Sequence, residues 1–168
     1  MTELVIIAHD IRSSHNIGAI LRTSEGFGVS HVYISGFSPY PTVVDDSRLP
    51  HIHTKLTRQI SKTALGAEKS QAWSHAESIE TLLKDLRKQN FAIVALEQSA
   101  GSIKLPAFAP SKKVALLLGR EVEGIDQQLL QHCDQIVEIP MFGHKESFNV
   151  VEAATAAMYH CTFFPFQP

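Results

Sequence analysis

The chain has 168 residues, of which 44% are hydrophobic and 19% are charged, and this composition excludes disordered, collagen-like and coiled-coil proteins. The formal net charge is −2, so bulk charge does not indicate a nucleic-acid partner and any basic surface must be local. No apolar run approaches the roughly 20 residues of a membrane span, and we expect no membrane partner. We interpret residues 1–168 as one domain whose core needs no disulfides.

Short motifs add little about compartment or metals. The two cysteines, Cys133 and Cys161, follow neither a CxxC nor a zinc-finger spacing, which favours a reducing, cytoplasmic setting. Residues 1–7 have no basic region before their apolar stretch, so we predict a first strand there rather than a signal peptide. His51 and His53 form an HxH pair without a further ligand, and we predict no metal site.

Apolar runs and helical patterns alternate along the chain. Five runs are continuous rather than alternating, as in strands buried on both faces of a parallel sheet. In chain order they are Leu4–Ala8, His31–Ser35, Phe91–Leu96, Val114–Leu118 and Gln135–Ile139. Helical periodicity covers Ile17–Ser24, Ile79–Leu86, Leu129–Cys133 and Val150–Met158. This order predicts an α/β fold with a mostly parallel sheet flanked by helices.

Helix ends and one long connection can also be predicted. Gly28 and Asn90 are placed to end the first two helices, and the last helix is expected to begin near Asn149. The stretch Phe37–His53 has no periodicity and contains three prolines. We predict a long loop there, and a loop of that length in a small domain is usually functional.

The first segment with chemical interest is 16–23, directly after the first strand. At about 100° per residue, Arg22 lies on the opposite side of a helix from Asn16. The two side chains could still converge on a ligand held over the helix N-terminus. The alternative is an N-capping asparagine and a solvated arginine.

The second segment, 118–124, follows the fourth predicted strand and contains Gly119 and Glu121. Glycines allow close backbone approach, and ligands of parallel sheets lie outside the carboxyl ends of the strands. The segment matches neither the dinucleotide fingerprint nor the P-loop, which argues against a phosphate cradle. The alternative is a tight strand-to-helix turn with exposed glutamates.

The third segment, 139–149, begins where a strand stops at Pro140 and continues through a loop to a helix that opens around Ser147 and Asn149. Ordinary helix capping explains a serine or asparagine at this place. The functional alternative is a polar pair and free backbone N–H groups that face a ligand.

Together, in this order and spacing, the three segments resemble the signature motifs of the SpoU (TrmH-like) branch of the SPOUT superfamily, which are RNA ribose 2′-O-methyltransferases. They match the patterns NxGxxxRT, GxExxG and IPMxGxxxSLN, with Phe148 where leucine is usual and Val151 where many members have serine. Residues 62–68 and 95–98 also look like family sequence. The resemblance extends from about residue 4 to residue 159.

The resemblance implies an α/β fold in which the C-terminal segment threads a loop to form a deep trefoil knot, and a homodimer whose second subunit helps to bind RNA. It also implies that S-adenosylmethionine binds in the knot. By position, the contacts to this cofactor would come from Leu96, Gly119, Ile139 and Phe148. These residues lie at or beyond the predicted carboxyl ends of strands, where a parallel sheet opens its crevice.

The implied reaction is displacement of a methyl group from a sulfonium by a ribose 2′-oxygen. A neutral hydroxyl must lose or share its proton and be held in line with the methyl group. The family assigns the central role to Arg22, in one version as a general base. A guanidinium has a pKa above about 12, so we prefer a version in which Arg22 grips a neighbouring phosphate. The other predicted catalytic residues complete the pocket: Asn16, Glu121, Ser147 and Asn149. His144 is a rival base at a position that varies among relatives.

Several alternatives stay open for the target and the assembly. By analogy with minimal relatives, tRNA is favoured over rRNA, and no additional N-terminal RNA-binding domain is expected. The basic stretch Arg48–Lys69, with Lys55, Arg58, Lys62 and Lys69, is the candidate RNA surface, and a solvated helix face is the alternative. The aromatic run Phe163–Phe166 is the candidate dimer interface, and docking on the chain's own core is the alternative.

Two other classes of function compete with an active methyltransferase. One is a catalytically silent member that keeps the fold to bind RNA or to dimerise. The other is a different α/β enzyme with a nucleotide cofactor, which the missing dinucleotide and P-loop fingerprints disfavour.

Overall fold

A computed structural model describes residues 2–164 and contains one seven-stranded sheet. The strands are β1 (Glu3–His9), β2 (His31–Ser35), β3 (Trp73–Ala76), β4 (Ala92–Leu96), β5 (Ile103–Lys104), β6 (Lys113–Leu118) and β7 (Gln135–Glu138). Their order is β3-β2-β1-β6-β4-β7-β5, and every neighbouring pair is parallel. The predicted α/β class and the five predicted strands are confirmed, each strand to within one residue at either end.

Helices cover both faces of the sheet. They are α1 (Ser14–Gly26), α2 (Pro50–Ala64), α3 (Ala67–Ser70), α4 (Ile79–Lys88), α5 (Gln127–Leu130) and α6 (Val150–Phe163), with a 3₁₀ turn at Leu105–Ala107. Buried side chains of α1, α2 and α6 pack in one core with every second residue of the central strands. Those of α4 and α5 pack with the alternate strand residues in a second core. The continuous apolar runs therefore belong to strands buried on both faces, as predicted.

Local sequence signals fix most helix ends. Side chains of Ser13, Ser78 and Asn149 accept hydrogen bonds from the first turns of α1, α4 and α6, and each satisfies one orphan N–H group. Gly28 and Asn90 lie just beyond α1 and α4 with φ of 67° and 66°, the left-handed conformation typical of a helix stop. The predicted ends at these positions are confirmed.

The predicted loop Phe37–His53 is wrong at its C-terminal end, because α2 begins at Pro50. Proline favours the first helical position, where its missing N–H costs nothing. Ile60 and Ala64 then bury one face of α2 at four-residue spacing. Two further differences are that the helix predicted over Leu129–Cys133 ends at Leu130, and that α2, α3, β3 and β5 have no counterpart among the predicted helices and strands.

The path of the chain at the β7 edge concerns the expected knot. Strand β7 lies between β4 and β5, so the chain returns into the sheet before α6 packs back against α1. This order is compatible with the knot that the resemblance implies, and the threading itself stays a prediction. Within residues 2–164, none of the helices combines the length and apolarity that crossing a membrane requires.

Candidate active site

A cleft of about 280 Å³ opens at the carboxyl ends of β4, β6 and β7. In an open parallel sheet this is the edge at which ligands bind. The structure brings six of the predicted site residues to its wall: Leu96, Gly119, Glu121, Ile139, Ser147 and Phe148. Segments that are far apart in the sequence therefore meet at one place, as the second and third motifs predicted.

The turn 119–124 forms one wall and is held closely against its neighbours. A Cβ atom at Gly119 would lie 2.4 Å from Cγ1 of Ile125, so only glycine fits there without displacing the turn. Gly124 has φ +72°, and its carbonyl accepts a hydrogen bond from Arg120 N at 3.3 Å. The Glu97 carboxylate accepts the backbone N–H of Ile125 at 2.8 Å, which fixes the end of the turn to β4.

Two side-chain hydrogen bonds join this turn to the segment before and within α1. Asn16 Nδ2 donates to Glu121 Oε1 at 2.8 Å, and Arg12 Nη2 donates to Glu123 Oε1 at 2.8 Å. Asn16 therefore reaches the cleft through Glu121 and not as a lining residue. The alternative of a capping asparagine is wrong for Asn16, because Ser13 caps α1.

An ion pair between buried Asp10 and half-buried Arg120, which no sequence motif indicated, supports the same turn from the end of β1. The Asp10 carboxylate accepts Arg120 Nη2 at 2.9 Å and the backbone N–H of Phe37 at 2.8 Å. Burial opposes ionisation of Asp10, but the hydrogen bonds from Phe37 and Arg120 outweigh it and hold its pKa below the ordinary value. Burial also lowers the pKa of His9 beside it. The only feature of the sequence that pointed to this ion pair was an aspartate directly after the first strand.

The third segment supplies the opposite wall. Ser147 lines the cleft, whereas Asn149 caps α6 through its Oδ1 atom, which accepts Val151 N at 2.8 Å. Val151, which replaces the usual serine, is half-buried against the core. His144 is exposed and is not among the lining residues.

Arg22 is not part of the cleft within this chain. It is exposed and lines a separate hollow of about 450 Å³ between α1 and α2, together with Lys62. The predicted separation of Asn16 and Arg22 around the helix is confirmed, and their convergence on one ligand is not seen within the chain.

The predicted aromatic interface is described only in part. The ring centroid of Phe163 lies 6.5 Å from that of Phe27 and 4.9 Å from that of Tyr159, so Phe163 docks on its own chain and still remains 48% exposed. Pro165 and Phe166 lie outside the described residues. A dimer through this surface stays a prediction.

The lining of the cleft suits a ligand with an apolar body and positive charge. Apolar side chains come from the ends of three strands, and carboxylates surround them: Glu97, Glu121, Glu123, Glu138 and Glu146. Two of these, Glu123 and Glu138, are paired with Arg12 and Lys104. The one cation among the described lining residues, Arg120, is already paired with Asp10. The cleft can therefore hold a flat apolar group and attract a cationic one.

Comparison with known proteins identifies relatives of this chain. Residues 3–159 match the family model described as the SpoU rRNA Methylase family. The chain is 31% identical to "23S rRNA (guanosine-2'-O-)-methyltransferase RlmB" of Xylella fastidiosa, over 93% of this chain and 57% of that protein. It is 24% identical to "tRNA (guanosine(18)-2'-O)-methyltransferase" of Aquifex aeolicus, over 94% of this chain and 67% of that protein.

The fold also has close structural neighbours. One is the AdoMet-bound rRNA methyltransferase from Sinorhizobium meliloti, with a TM-score of 0.76 and 22% identity, over 95% of this chain and 55% of that one. The chain thus spans little more than half the length of the Xylella relative and of this neighbour.

Proposed function

Because the chain belongs to the SpoU rRNA methylase family, we propose that it transfers a methyl group from S-adenosylmethionine to a ribose 2′-oxygen of RNA. The observation that carries this proposal is the cleft itself, where the GxExxG turn and the Ser147 segment form facing walls at the carboxyl edge of the sheet. The relatives named above for 2′-O-methylation and the AdoMet-bound neighbour support it. We propose residues 1–168 as a single catalytic domain.

The cleft has the size and chemistry for the cofactor. Its volume of about 280 Å³ is near the lower end of ordinary ligand pockets. We propose that Leu96, Gly119, Ile139 and Phe148 hold the nucleoside part. The surrounding carboxylates would attract the cationic sulfonium and amino groups, because opposite charge focused in a cleft favours binding.

When it is bound, the cofactor supplies an electrophilic methyl group. The remaining task falls to the protein, which must orient a ribose hydroxyl and draw off its proton. Asn16 occupies Oε1 of Glu121, so Oε2 is the atom available to accept a hydrogen bond from the hydroxyl. Ser147, on the facing wall, can contact the same ribose. Asn149 uses its oxygen as a cap and can donate through Nδ2.

The position of Arg22 favours a phosphate contact over a role as general base. Arg22 lies outside the cleft, and a guanidinium offers five hydrogen-bond donors in a planar fork and no acceptor. We propose that Arg22 grips an RNA phosphate with its planar fork. We also propose a homodimer, in which a second copy contributes to the RNA surface.

The most specific part of the proposal is the class of RNA substrate, tRNA or rRNA. The tRNA preference came from analogy, and the relatives named above act on each class, so rRNA is an equal alternative. Both relatives are named for guanosine, and 2′-O-methylguanosine is therefore the product that we expect first.

The test is transfer of labelled methyl from S-adenosylmethionine to separate tRNA and rRNA pools from cells that lack this protein. The protein is compared with Glu121→Gln and Arg22→Ala, and cofactor binding is measured by calorimetry. We expect label in one pool, with at least tenfold less for either variant. Cofactor binding without transfer to either pool would instead favour a catalytically silent, RNA-binding member. Absence of both would refute the proposal.

A further inference from the structure

Helix α2 is basic throughout, in a chain whose net charge is −2. It contains three cations and no aspartate or glutamate. At about 100° per residue, Lys55, Arg58 and Lys62 lie within roughly 60° of each other around the helix. All three are exposed, and they form a row about 10 Å long at 1.5 Å per residue.

The cations of this row have no acidic partners, unlike most others in the protein. Within residues 2–164, neither these three nor Arg22 form a salt bridge, whereas seven of the other eleven lysines and arginines pair with acids. Arg48, next to the row, is paired with Asp46. Like charges three and four residues apart on a helix repel each other, so the row reduces the stability of α2 and is expected where a polyanion compensates.

Close packing of α1 on α2 brings Arg22 to the end of this row. Gly18 allows the approach, because a Cβ atom there would lie 2.2 Å from the carbonyl oxygen of Ile60. Thr63 Oγ1 donates across the same contact to the carbonyl of His15 at 2.8 Å. Arg22 and Lys62 then line one hollow. The planar guanidinium of Arg22 therefore lies near the compact ammonium group of Lys62.

We propose that Lys55, Arg58, Lys62 and Arg22 form a phosphate track that carries the RNA backbone toward the cleft. Arg22 lies six residues after Asn16, or about 9 Å along α1, and Asn16 contacts Glu121 at the cleft wall. The track thus ends on α1, the helix whose first turn contacts the cleft wall through Asn16, with Arg22 on the opposite side of that helix. This inference rests on the proposed function and names the surface that binds the substrate.

The test is the salt dependence of RNA binding, measured by filter binding with unfractionated tRNA and with total rRNA. Each phosphate contact contributes about 0.7–0.9 to the slope of log K against log salt concentration. Lys62→Gln should lower the magnitude of the slope by about 1, and the triple variant at Lys55, Arg58 and Lys62 by about 2–3. Lys84→Gln is the matched control, because Lys84 is exposed, forms no salt bridge with any residue of 2–164 and lies on α4, across the sheet.

The outcomes separate this inference from the proposed function. A slope that falls in the track variants and not in Lys84→Gln supports the track, even if no methyl transfer is found. Equal slopes in all proteins, or no RNA binding by the unchanged protein, overturn the track. Continued methyl transfer in those cases would leave the proposed function standing. Circular dichroism melting curves confirm that the variants fold.

Discussion

Substitution of Gly18 by alanine tests the α1–α2 contact on which the position of Arg22 depends. A Cβ atom at Gly18 would lie 2.2 Å from the Ile60 carbonyl oxygen and 2.2 Å from Thr63 Oγ1. The threonine is held by its hydrogen bond to the His15 carbonyl. The Ile60 oxygen belongs to the backbone and cannot move unless α2 moves.

The expected magnitude combines two opposing effects. Overpacking costs about 1–3 kcal/mol, and the 2.2 Å approach to a backbone atom puts this site in the upper part of that range, about 2–3 kcal/mol, whereas glycine to alanine inside a helix gains about 1 kcal/mol. We therefore expect Gly18→Ala to lower the free energy of unfolding by about 1–2 kcal/mol, net of the helix gain. It should also weaken RNA binding, because it separates Arg22 from Lys62.

Gly26→Ala is the matched control in the same helix. Gly26 is the last residue of α1, and a Cβ atom there has no neighbour within 4 Å. This variant should be as stable as the unchanged protein, or more stable by up to about 1 kcal/mol. Urea denaturation monitored by circular dichroism measures the free energy of unfolding of both variants. If Gly18→Ala were as stable as Gly26→Ala, the reasoning about the helix contact would be refuted.

Three further predictions concern the cleft, pH and thiols. Gly119→Ala should displace Ile125, which a Cβ would approach to 2.4 Å, and weaken S-adenosylmethionine binding at least tenfold in calorimetry. An unchanged Kd would contradict the packing described. The lowered pKa of Asp10 implies stability that is present above the unfolded pKa near 4 and lost as pH falls through the folded pKa. Asp10→Asn should therefore have a lower free energy of unfolding than the unchanged protein at neutral pH, and it should lose less of that free energy as the pH is lowered. Equal pH dependence of the free energy of unfolding in the two proteins would refute this. Cys161 is fully buried, and burial raises its pKa to about 12. Iodoacetamide should label it only in urea, and mass spectrometric detection of label in the native protein would contradict its burial.

The central strands of the fold could be predicted, because a strand that is buried on both faces of the sheet appears in the sequence as a continuous apolar run. Strands β1 and β6 are continuous apolar runs, so their positions were correct to within one residue. Strand β5 has only two residues, and β3 is a half-buried strand at the edge of the sheet. Neither leaves such a pattern, because polar and apolar residues are both tolerated there.

The walls of the cleft could be predicted from motif positions, because parallel strands present their carboxyl ends at one edge. The ion pair that supports one wall of the cleft could not be predicted from the sequence. Asp10 and Arg120 are 110 positions apart, and only the pairing of β1 with β6 brings them together. The hollow that Arg22 and Lys62 share likewise depends on the packing of α1 on α2, which neither helix shows alone.

The most direct test of the central claim is the chemical position of the transferred methyl group. RNA is labelled with the protein and S-adenosylmethionine, hydrolysed completely in alkali and separated by chromatography. A 2′-O-methyl group blocks cleavage of the adjacent phosphodiester, so we predict label in alkali-stable dinucleotides and its loss with Glu121→Gln. Label in mononucleotides, which would indicate methylation of a base, would contradict the account.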